Sequence, residues 1–248
     1  MSKKIHTDHT RGYRENIALS ENEKSFQVIV EQTDLFIVAE KDLSELTLDA
    51  VHEVRGILQA HFVLNPAFAT SLVPVPVPDD VHPVIKAMAD GAQACGVGPM
   101  AAVAGAVAQF VAETLLPYSS NVIVENGGDI YMHSTRSRRI GLLSEPGSGT
   151  RIGLAVEAGE FPLSICSSSG TIGHSLSLGS GDLVTVRAKD GRFADAAATA
   201  LANLLKSPAD VPVVIEKARE LTKHGLEGVF VQYDSKIGAW GKLELIAL

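Results

Sequence analysis

Cysteine is scarce in this chain, and several other features are missing from it altogether. Only Cys95 and Cys166 occur among 248 residues, which is too few for the disulfide framework of a small secreted protein. No uninterrupted apolar run approaches the roughly 18 residues that a membrane span needs. No apolar stretch follows Met1-Ser-Lys-Lys4, so a secretory signal is not visible. We therefore expect a protein of the cytoplasm.

Positive charge is also in deficit. The formal net charge is -8, which argues against nucleic acid or an anionic membrane as the main partner. A phosphate-bearing ligand stays open, because backbone amides and metal ions can bind phosphate without a basic surface. The Walker pattern G-x-x-x-x-G-K-[ST] and histidines at metal-ligand spacing are absent. An apolar fraction of 46% nevertheless allows a sizeable core.

The hydrophobic pattern predicts helices and strands joined largely by hairpins. Strands are expected over 26–30, 34–39, 121–125, 130–133, 139–143, 151–156 and 182–187, with 228–233 and 243–246 as a closing hairpin. Helices are expected over 44–62, 81–95, 100–116, 194–205 and 211–224. We predict one α/β (α+β) domain over 26–248, with a largely antiparallel sheet and packed alanine-rich helices, after a polar segment 1–25. Alternating prolines in Leu72–Pro78 predict an extended segment rather than a central strand.

One glycine-rich segment has the form of a dinucleotide fingerprint. Gly96-Val-Gly-Pro-Met-Ala101 matches G-x-G-x-x-A, but the fingerprint requires a preceding strand, and the pattern before Gly96 is helical. The Rossmann interpretation is therefore rejected. What remains is either a helix N-terminus whose free amides hold a phosphate or a plain turn between two helices.

Two residues of the second alanine-rich helix could bind a metal ion. Asp195 and Thr199 are four residues apart, so both lie on one helix face. A carboxylate and a hydroxyl are hard oxygen ligands of the kind that Mg²⁺ prefers. The alternative is that Asp195 caps its own helix and Thr199 fills the core.

Two loops carry further polar candidates. Asn126-Gly-Gly-Asp129 is a strong turn signal, either as a plain hairpin or as a site where backbone approaches a ligand. The loop from Ser167 to His174 offers hydroxyls and amides to an anion, or is a solvated turn. His174 has no acidic neighbour in sequence, so a nucleophilic triad is not supported. Cys166 is interpreted as a small buried residue.

Several segments, taken in chain order, resemble the motifs of the ApbE family. They are Val124-Glu-Asn-Gly-Gly-Asp-Ile130, the Ser167-Ser-Ser-Gly170 loop with His174, the strand Leu183-Val-Thr-Val186, and Phe193-Ala-Asp-Ala-Ala-Ala-Thr-Ala-Leu201. The family motifs read approximately N-x-G-G-D-I, T-S-G, a histidine, and A-D-A-x-A-T-A. Their order and the last match make the resemblance fairly specific over about residues 95–206.

The resemblance implies a fold, an activity and a set of site residues. Members of that family move FMN from FAD onto a threonine of a partner protein, with Mg²⁺ at the diphosphate, and their fold is related to the tunnelling fold. By resemblance, Asp195 and Thr199 are the metal ligands, and Asp195 and His174 are catalytic. The residues expected to bind the FAD are Gly98, Met100, Ala101, Asn126, Gly127, Gly128, Asp129, Ser168, Ser169, Gly170 and Thr171.

The chain also departs from the family pattern. The lysine of the family's G-G-I-A-K-G segment is missing from Gly98-Pro-Met-Ala-Ala-Val103, and Ser175-Leu-Ser-Leu-Gly179 replaces the I-x-D-P-x-T-G that follows the family's histidine. The chain is also shorter than typical members and lacks their export signal. Two functions stay open. One is a Mg²⁺-dependent enzyme that transfers or hydrolyses the FMN moiety of FAD, with an acceptor protein as a possible partner. The other is a non-catalytic flavin- or nucleotide-binding accessory protein, with sulfide assimilation into homocysteine as its suggested context.

Overall fold

The computed structural model describes residues 22–142, 152–169 and 183–248, and these ranges hold eleven strands and six α-helices. The strands are β1 Lys24–Val30, β2 Thr33–Ala39, β3 Val122–Asn126, β4 Asp129–His133, β5 Arg138–Gly141, β6 Ile152–Val156, β7 Leu163–Ser168, β8 Leu183–Ala188, β9 Leu226–Tyr233, β10 Lys236–Gly241 and β11 Glu244–Ala247. The α-helices are α1 Ser44–Leu64, α2 Pro66–Thr70, α3 Pro83–Cys95, α4 Val103–Leu115, α5 Gly191–Leu204 and α6 Val211–Glu220.

The strands form two antiparallel sheets. The larger sheet has eight strands in the order β1-β2-β3-β4-β7-β8-β9-β10, and each neighbouring pair is antiparallel. The smaller sheet has the order β11-β6-β5. The predicted combination of helices with a largely antiparallel sheet is therefore confirmed.

The large sheet carries helices on one face and the small sheet on the other. Alternation along the strands separates the two sides. On β3, Val122 and Val124 pack against the helices, whereas Ile123 packs under the small sheet. On β7, Cys166 faces the helices and Ile165 faces the small sheet. Burial of both faces explains why these central strands read as nearly continuous apolar runs.

The break between α3 and α4 follows the sequence expectation. Gly96 ends α3 in the left-handed region at φ 72°, and a 3₁₀ turn from Pro99 to Ala102 precedes α4. A helix therefore precedes the glycine-rich segment, as the rejection of a Rossmann unit requires. Among the described residues, no single helix is long and apolar enough to cross a membrane, and α3 passes that test only together with Pro99–Leu115, as a pair bent by 107°.

Three expectations from the sequence need correction. The segment from Ile165 was expected to be a loop, but Leu163–Ser168 is a central strand, whose Ser164 hydroxyl donates to the Ile130 carbonyl at 2.9 Å. The expected closing hairpin is wrong, because β9 pairs with β10 while β11 crosses to β6. The short helix α2 was not expected; it begins at Pro66, in the first helical turn where proline is tolerated. The division at residue 25 stays a prediction.

Candidate functional site

The turn between β3 and β4 is the first component of the site. Asn126 pairs with Asp129 across a two-residue turn, and Gly127 and Gly128 both adopt positive φ, at 67° and 106°. Such angles favour glycine at both central positions of a hairpin turn. The Gly128 amide donates to Glu125 Oε1 at 2.7 Å, so in this conformation it is engaged by the protein. The hairpin interpretation is confirmed, and ligand binding by the two glycines stays a prediction.

Helix α5 is the second component, and it is capped by a residue that the sequence analysis did not consider. Asp190 accepts hydrogen bonds from the amides of Arg192 and Phe193 at 2.9 and 3.1 Å. Asp195 lies more than one turn further into the helix, where every backbone amide already has an intrahelical partner. The suggestion that Asp195 caps its own helix is therefore wrong.

Asp195 instead reaches the N-terminus of a different helix. Its Oδ2 accepts from the Gly105 amide at 2.9 Å, and the Ala104 amide also donates to the carboxyl group. Helix α4 begins after Ala102, which has no side chain that could cap it. The carboxylate of α5 thus satisfies amides that α4 would otherwise leave unpaired, in the place where a helix dipole favours negative charge.

The two helices approach each other closely at this point. A Cβ atom on Gly105 would lie 2.1 Å from the Gly191 carbonyl oxygen and 2.9 Å from Asp195 Cβ. No real side chain fits there without moving the backbone. The close packing that Gly105 predicted from within an alanine-rich helix is thus observed, and Asp195 is fixed against the first turn of α4.

The same turn of α4 is contacted from the sheet. Asn126 Nδ2 donates to the Ala104 carbonyl at 3.1 Å. Asp129 accepts from the Ser167 amide at 3.2 Å and from the Cys166 thiol. Asn126, Asp129, Ser167 and Asp195 therefore meet at one end of the large sheet, where β3 ends, β4 begins and β7 ends. The structure brings these predicted site residues together.

Asp129 and Asp195, which we call the acidic cluster, are both buried at this end of the sheet. Asp129 is 4% exposed and Asp195 is 8% exposed. Burial raises the pKa of Asp129 to about 7, which the hydrogen bonds from Cys166 and Ser167 only partly offset. Burial and the nearby Asp129 charge raise the pKa of Asp195 well above its usual range. The arrangement disfavours two negative charges, so a cation at this position would stabilise it.

A buried hydroxyl on the helix side of the same sheet lacks a partner among the described residues. Ser168 ends β7, is 5% exposed, and its buried Oγ makes no hydrogen bond within the described part of the chain. It points to the helix side, because it pairs with Val184, which packs beneath α5. Buried hydroxyls are rarely left unpaired, so this atom fits a site that binds a polar ligand.

The available donors fit a hard cation. The Asp129 and Asp195 carboxylates and the Ser168 hydroxyl are oxygen donors. The half-buried Thr199 follows Asp195 by one turn of α5. Oxygen donors of this kind suit Mg²⁺, which commonly completes its octahedron with water and ligand phosphates. Among residues 22–142, 152–169 and 183–248, no three His, Cys, Asp or Glu side chains cluster as a metal cage. The site therefore fits a Mg²⁺ ion shared with a phosphate ligand.

The remaining predicted residues are less close or are not described. Met100 and Ala101 lie in the 3₁₀ turn that packs against α5. A Cβ on Gly98 would lie 1.8 Å from the Ser71 carbonyl oxygen. The backbone at Ser71, which passes close to Gly98, therefore explains why this position is a glycine. Ser169 is buried beside Ser168. Gly170, Thr171 and His174 lie outside the described residues.

Sequence reasoning missed Gln109 and Gly191, which join α4 to α5. The Gly191 amide donates to Gln109 Oε1 at 2.7 Å. A lone glutamine in an apolar helix was the only signal that could have suggested this contact. Cys166 is fully buried and burial raises the pKa of its thiol, which confirms it as a small core residue.

The fold defined above is shared with flavin transferases of the ApbE type. The apo flavinyl transferase ApbE of Pseudomonas stutzeri aligns with 88% of this chain and 94% of its own, at a TM-score of 0.55 and 13% identity. The apbe protein of Thermotoga maritima aligns with 90% of this chain and 96% of its own, at a TM-score of 0.56 and 12% identity. At such low identity the likeness establishes the fold alone.

Sequence comparison identifies the family. Residues 17–228 match the family model described as "AbpE bacteria", and the chain belongs to this family. A "UPF0280 protein" of Methanopyrus kandleri is 39% identical over 88% of this chain and 90% of its own. A second, from Methanocaldococcus jannaschii, is 34% identical over the same shares of the two chains.

Proposed function

We propose that this protein binds FAD together with Mg²⁺ at the acidic cluster and cleaves the FAD diphosphate, so that FMN passes to a hydroxyl acceptor and AMP is released. The observation that carries the proposal is the buried Asp195 carboxylate, held by the first turn of α4 beside the buried Asp129. Two neighbouring acids without a compensating cation are unfavourable for folding alone, so we infer that they serve a ligand. The fold shared with proteins described as flavin transferases supports FAD as that ligand.

The chain's own residues would hold the metal and the diphosphate. Asp195 and Thr199 are the proposed Mg²⁺ ligands, and the bound ion would neutralise charge on the diphosphate. A carboxylate has about four lone-pair sites, so the amide bonds from α4 leave Asp195 able to accept a cation. We assign Ser168 Oγ, which is buried and has no partner among the described residues, as a donor to a ligand oxygen.

The proposed reaction conserves atoms and charge in a simple way. An acceptor hydroxyl oxygen, from a threonine of a partner protein or from water, forms a bond to the phosphorus of the FMN half. The bond from that phosphorus to the bridging oxygen breaks, and AMP leaves with the electron pair while the hydroxyl loses its proton. Positioning and charge stabilisation do most of the work in such transfers. His174 is assigned a contributory role by resemblance.

A second candidate function is binding of the flavin nucleotide without turnover. It is favoured by the absent lysine in Gly98–Val103, a segment that packs against α5 through its 3₁₀ turn. Loss of one such donor commonly costs about 10²–10³ in rate rather than all activity. We therefore expect slow turnover, and an accessory role would follow only if turnover is absent.

The test is release of AMP from FAD in the presence of Mg²⁺, followed with the wild type, Asp195→Asn and Asp49→Asn. Asp49 is an exposed residue of α1, so its variant makes the same carboxyl-to-amide change away from the site. Wild type and Asp49→Asn should release AMP, whereas Asp195→Asn should not. Binding of FAD without AMP release above the Asp195→Asn level, even with candidate acceptor proteins present, would support the accessory role instead.

A further inference from the structure

Two hydrogen bonds connect α4 to α5 one turn apart. The Gly105 amide of α4 donates to Asp195 of α5, and the Gly191 amide of α5 donates to Gln109 of α4. Within each helix the two residues involved are four positions apart, so the bonds lie on the same faces of the helices. The backbone contact between Gly105 and Gly191 lies beside both bonds.

Gln109 is a buried polar residue whose two functional atoms are both used. Its Oε1 accepts from Gly191 at 2.7 Å, and its Nε2 donates to Glu113 Oε1 at 2.7 Å. The Glu113 contact fixes the orientation of the amide group, because it needs the NH₂ side to face Glu113. Gln109 therefore presents a fixed acceptor to the first amide of α5.

We propose that Gln109 is a positioning residue for Asp195, because it sets the register of α5 against α4. The role of Gln109 in metal binding rests on the proposed function. Its effect on the position of Asp195 does not. If the Gln109 acceptor is lost, the Gly191 amide is left buried and unpaired, and the start of α5 shifts to find a partner. Asp195 lies one turn along the same helix, so the Gly105 bond changes with it.

Helix α5 supplies its own control. Asp190 caps the same helix end by accepting from Arg192 and Phe193, and both of these partners belong to α5 itself. Asp190→Ala weakens the helix end as Gln109→Met does, yet it leaves the acceptor for Gly191 in place. Comparison of the two variants therefore distinguishes a general weakening of α5 from a shift of α5 along α4.

The first experiment measures the chemical shift and the hydrogen exchange of the Gly105 amide by NMR in the ligand-free protein. In Gln109→Met, the Gly105 amide resonance should shift, and its protection from hydrogen exchange should fall roughly tenfold relative to the Val111 amide of the same helix. The double variant Gln109→Glu/Glu113→Gln keeps the acceptor for Gly191 and keeps the hydrogen bond between positions 109 and 113 with its direction reversed. It should retain both properties, as should Asp190→Ala. An unchanged Gly105 amide in Gln109→Met would overturn the proposal. If Gln109→Met does not fold, a changed Gly105 amide in Gln109→Glu/Glu113→Gln would overturn it.

The second experiment measures the affinity for FAD in the presence of Mg²⁺. Gln109→Met should bind about tenfold more weakly than Gln109→Glu/Glu113→Gln and Asp190→Ala, which should match the wild type. Equal affinity of all variants would overturn the role in binding. If the wild type itself binds no FAD, the proposed function fails, while the NMR result still decides whether Gln109 positions Asp195.

Discussion

The two faces of the large sheet bury charge in opposite ways. On the small-sheet side, the buried Arg187 donates to Glu160 at 2.9 Å and to Glu227 at 3.0 Å, and Lys242 contacts Glu160 at 2.6 Å. On the helix side, two carboxylates share one buried cluster. The first cluster combines both signs of charge, whereas the second carries one sign within residues 22–142, 152–169 and 183–248.

The difference distinguishes charged groups that are paired within the protein from charged groups that need a ligand. A buried ion pair is tolerable when its members satisfy one another, and burial of Glu160 is outweighed by Lys242, Arg187 and the Glu157 backbone, which lower the pKa of Glu160 to about 2. In the acidic cluster, burial instead raises the pKa of both Asp129 and Asp195. We infer that the Arg187 cluster serves the fold alone and that the acidic cluster serves a ligand.

The largest expected effect comes from breaking the structural cluster. Arg187→Met leaves Glu160 and Glu227 facing a buried apolar side chain, and it should lower the free energy of unfolding by about 2–4 kcal/mol. Urea denaturation measures the change. Affinity for FAD should stay at the wild-type level in the folded variant, and a loss of affinity at unchanged stability would contradict the assignment of this cluster to the fold.

The contribution of the acidic cluster to the free energy of unfolding should fall as the pH rises, whereas that of an ordinary ion pair falls as the pH drops. The pKa of Asp129 rises from 3.8 to about 7 on folding, so the folded state binds the proton more tightly than the unfolded state. The stability that this provides is present below pH 4 and is lost as the pH rises to about 7. The Arg187 cluster behaves conversely, since its contribution is lost as the pH falls toward 2.

The measurement is the free energy of unfolding from pH 4 to pH 8 with EDTA present. The wild type should lose about 3–4 kcal/mol over this range relative to Asp129→Asn. Asp49→Asn controls for the change of net charge. An Asp129→Asn variant with the wild-type slope would exclude Asp129 as the source.

Gly105→Ala should damage stability and binding together. Its Cβ would meet the Gly191 carbonyl at 2.1 Å, and forcing the helices apart should cost about 1–3 kcal/mol. Gly153→Ala in the small sheet is the control, since its Cβ would meet the Ile140 carbonyl at 2.9 Å and Leu248 at 2.7 Å. Thermal unfolding and FAD titration should reveal weaker FAD binding only for Gly105→Ala; equal binding by both variants would contradict the coupling of helix spacing to the site.

The smallest effect is expected at Ser168. Ser168→Ala removes a buried hydroxyl that has no partner in the described part of the chain, so the ligand-free protein should become more stable, by about 1 kcal/mol. The same change should weaken FAD binding. A variant that is less stable and binds FAD normally would mean that the hydroxyl serves the fold and not the ligand.

Much of this fold could be predicted from the sequence because its patterns are local. Apolar runs predicted β2 and β3, and the Asn126–Asp129 turn predicted the hairpin between β3 and β4. The pairing of β11 with β6 could not be predicted, because strand partners far apart in sequence leave no local signal. The end of β7 was misread as part of a loop, because Ser167 and Ser168 stand where apolar residues are expected in a central strand.

The sequence predicted which residues belong to the candidate site, but it did not predict the contacts that these residues make. Motif resemblance selected Asn126, Asp129 and Asp195, which the structure brings together. That Asp195 binds the amides of α4, and that Gln109 binds the first amide of α5, depends on how two distant helices pack. Helix packing of this kind is a tertiary property that residue spacing within one helix does not encode.

The central claim is that the acidic cluster is completed by a divalent cation and a diphosphate, and calorimetric titration with FAD tests it most directly. The titration is run with Mg²⁺ and with EDTA, on the wild type and on Asp195→Asn. The account predicts that Mg²⁺ strengthens FAD binding to the wild type by roughly tenfold or more and has no effect on Asp195→Asn. Equal affinity of the wild type in Mg²⁺ and in EDTA, or an undiminished Mg²⁺ effect in folded Asp195→Asn, would contradict it.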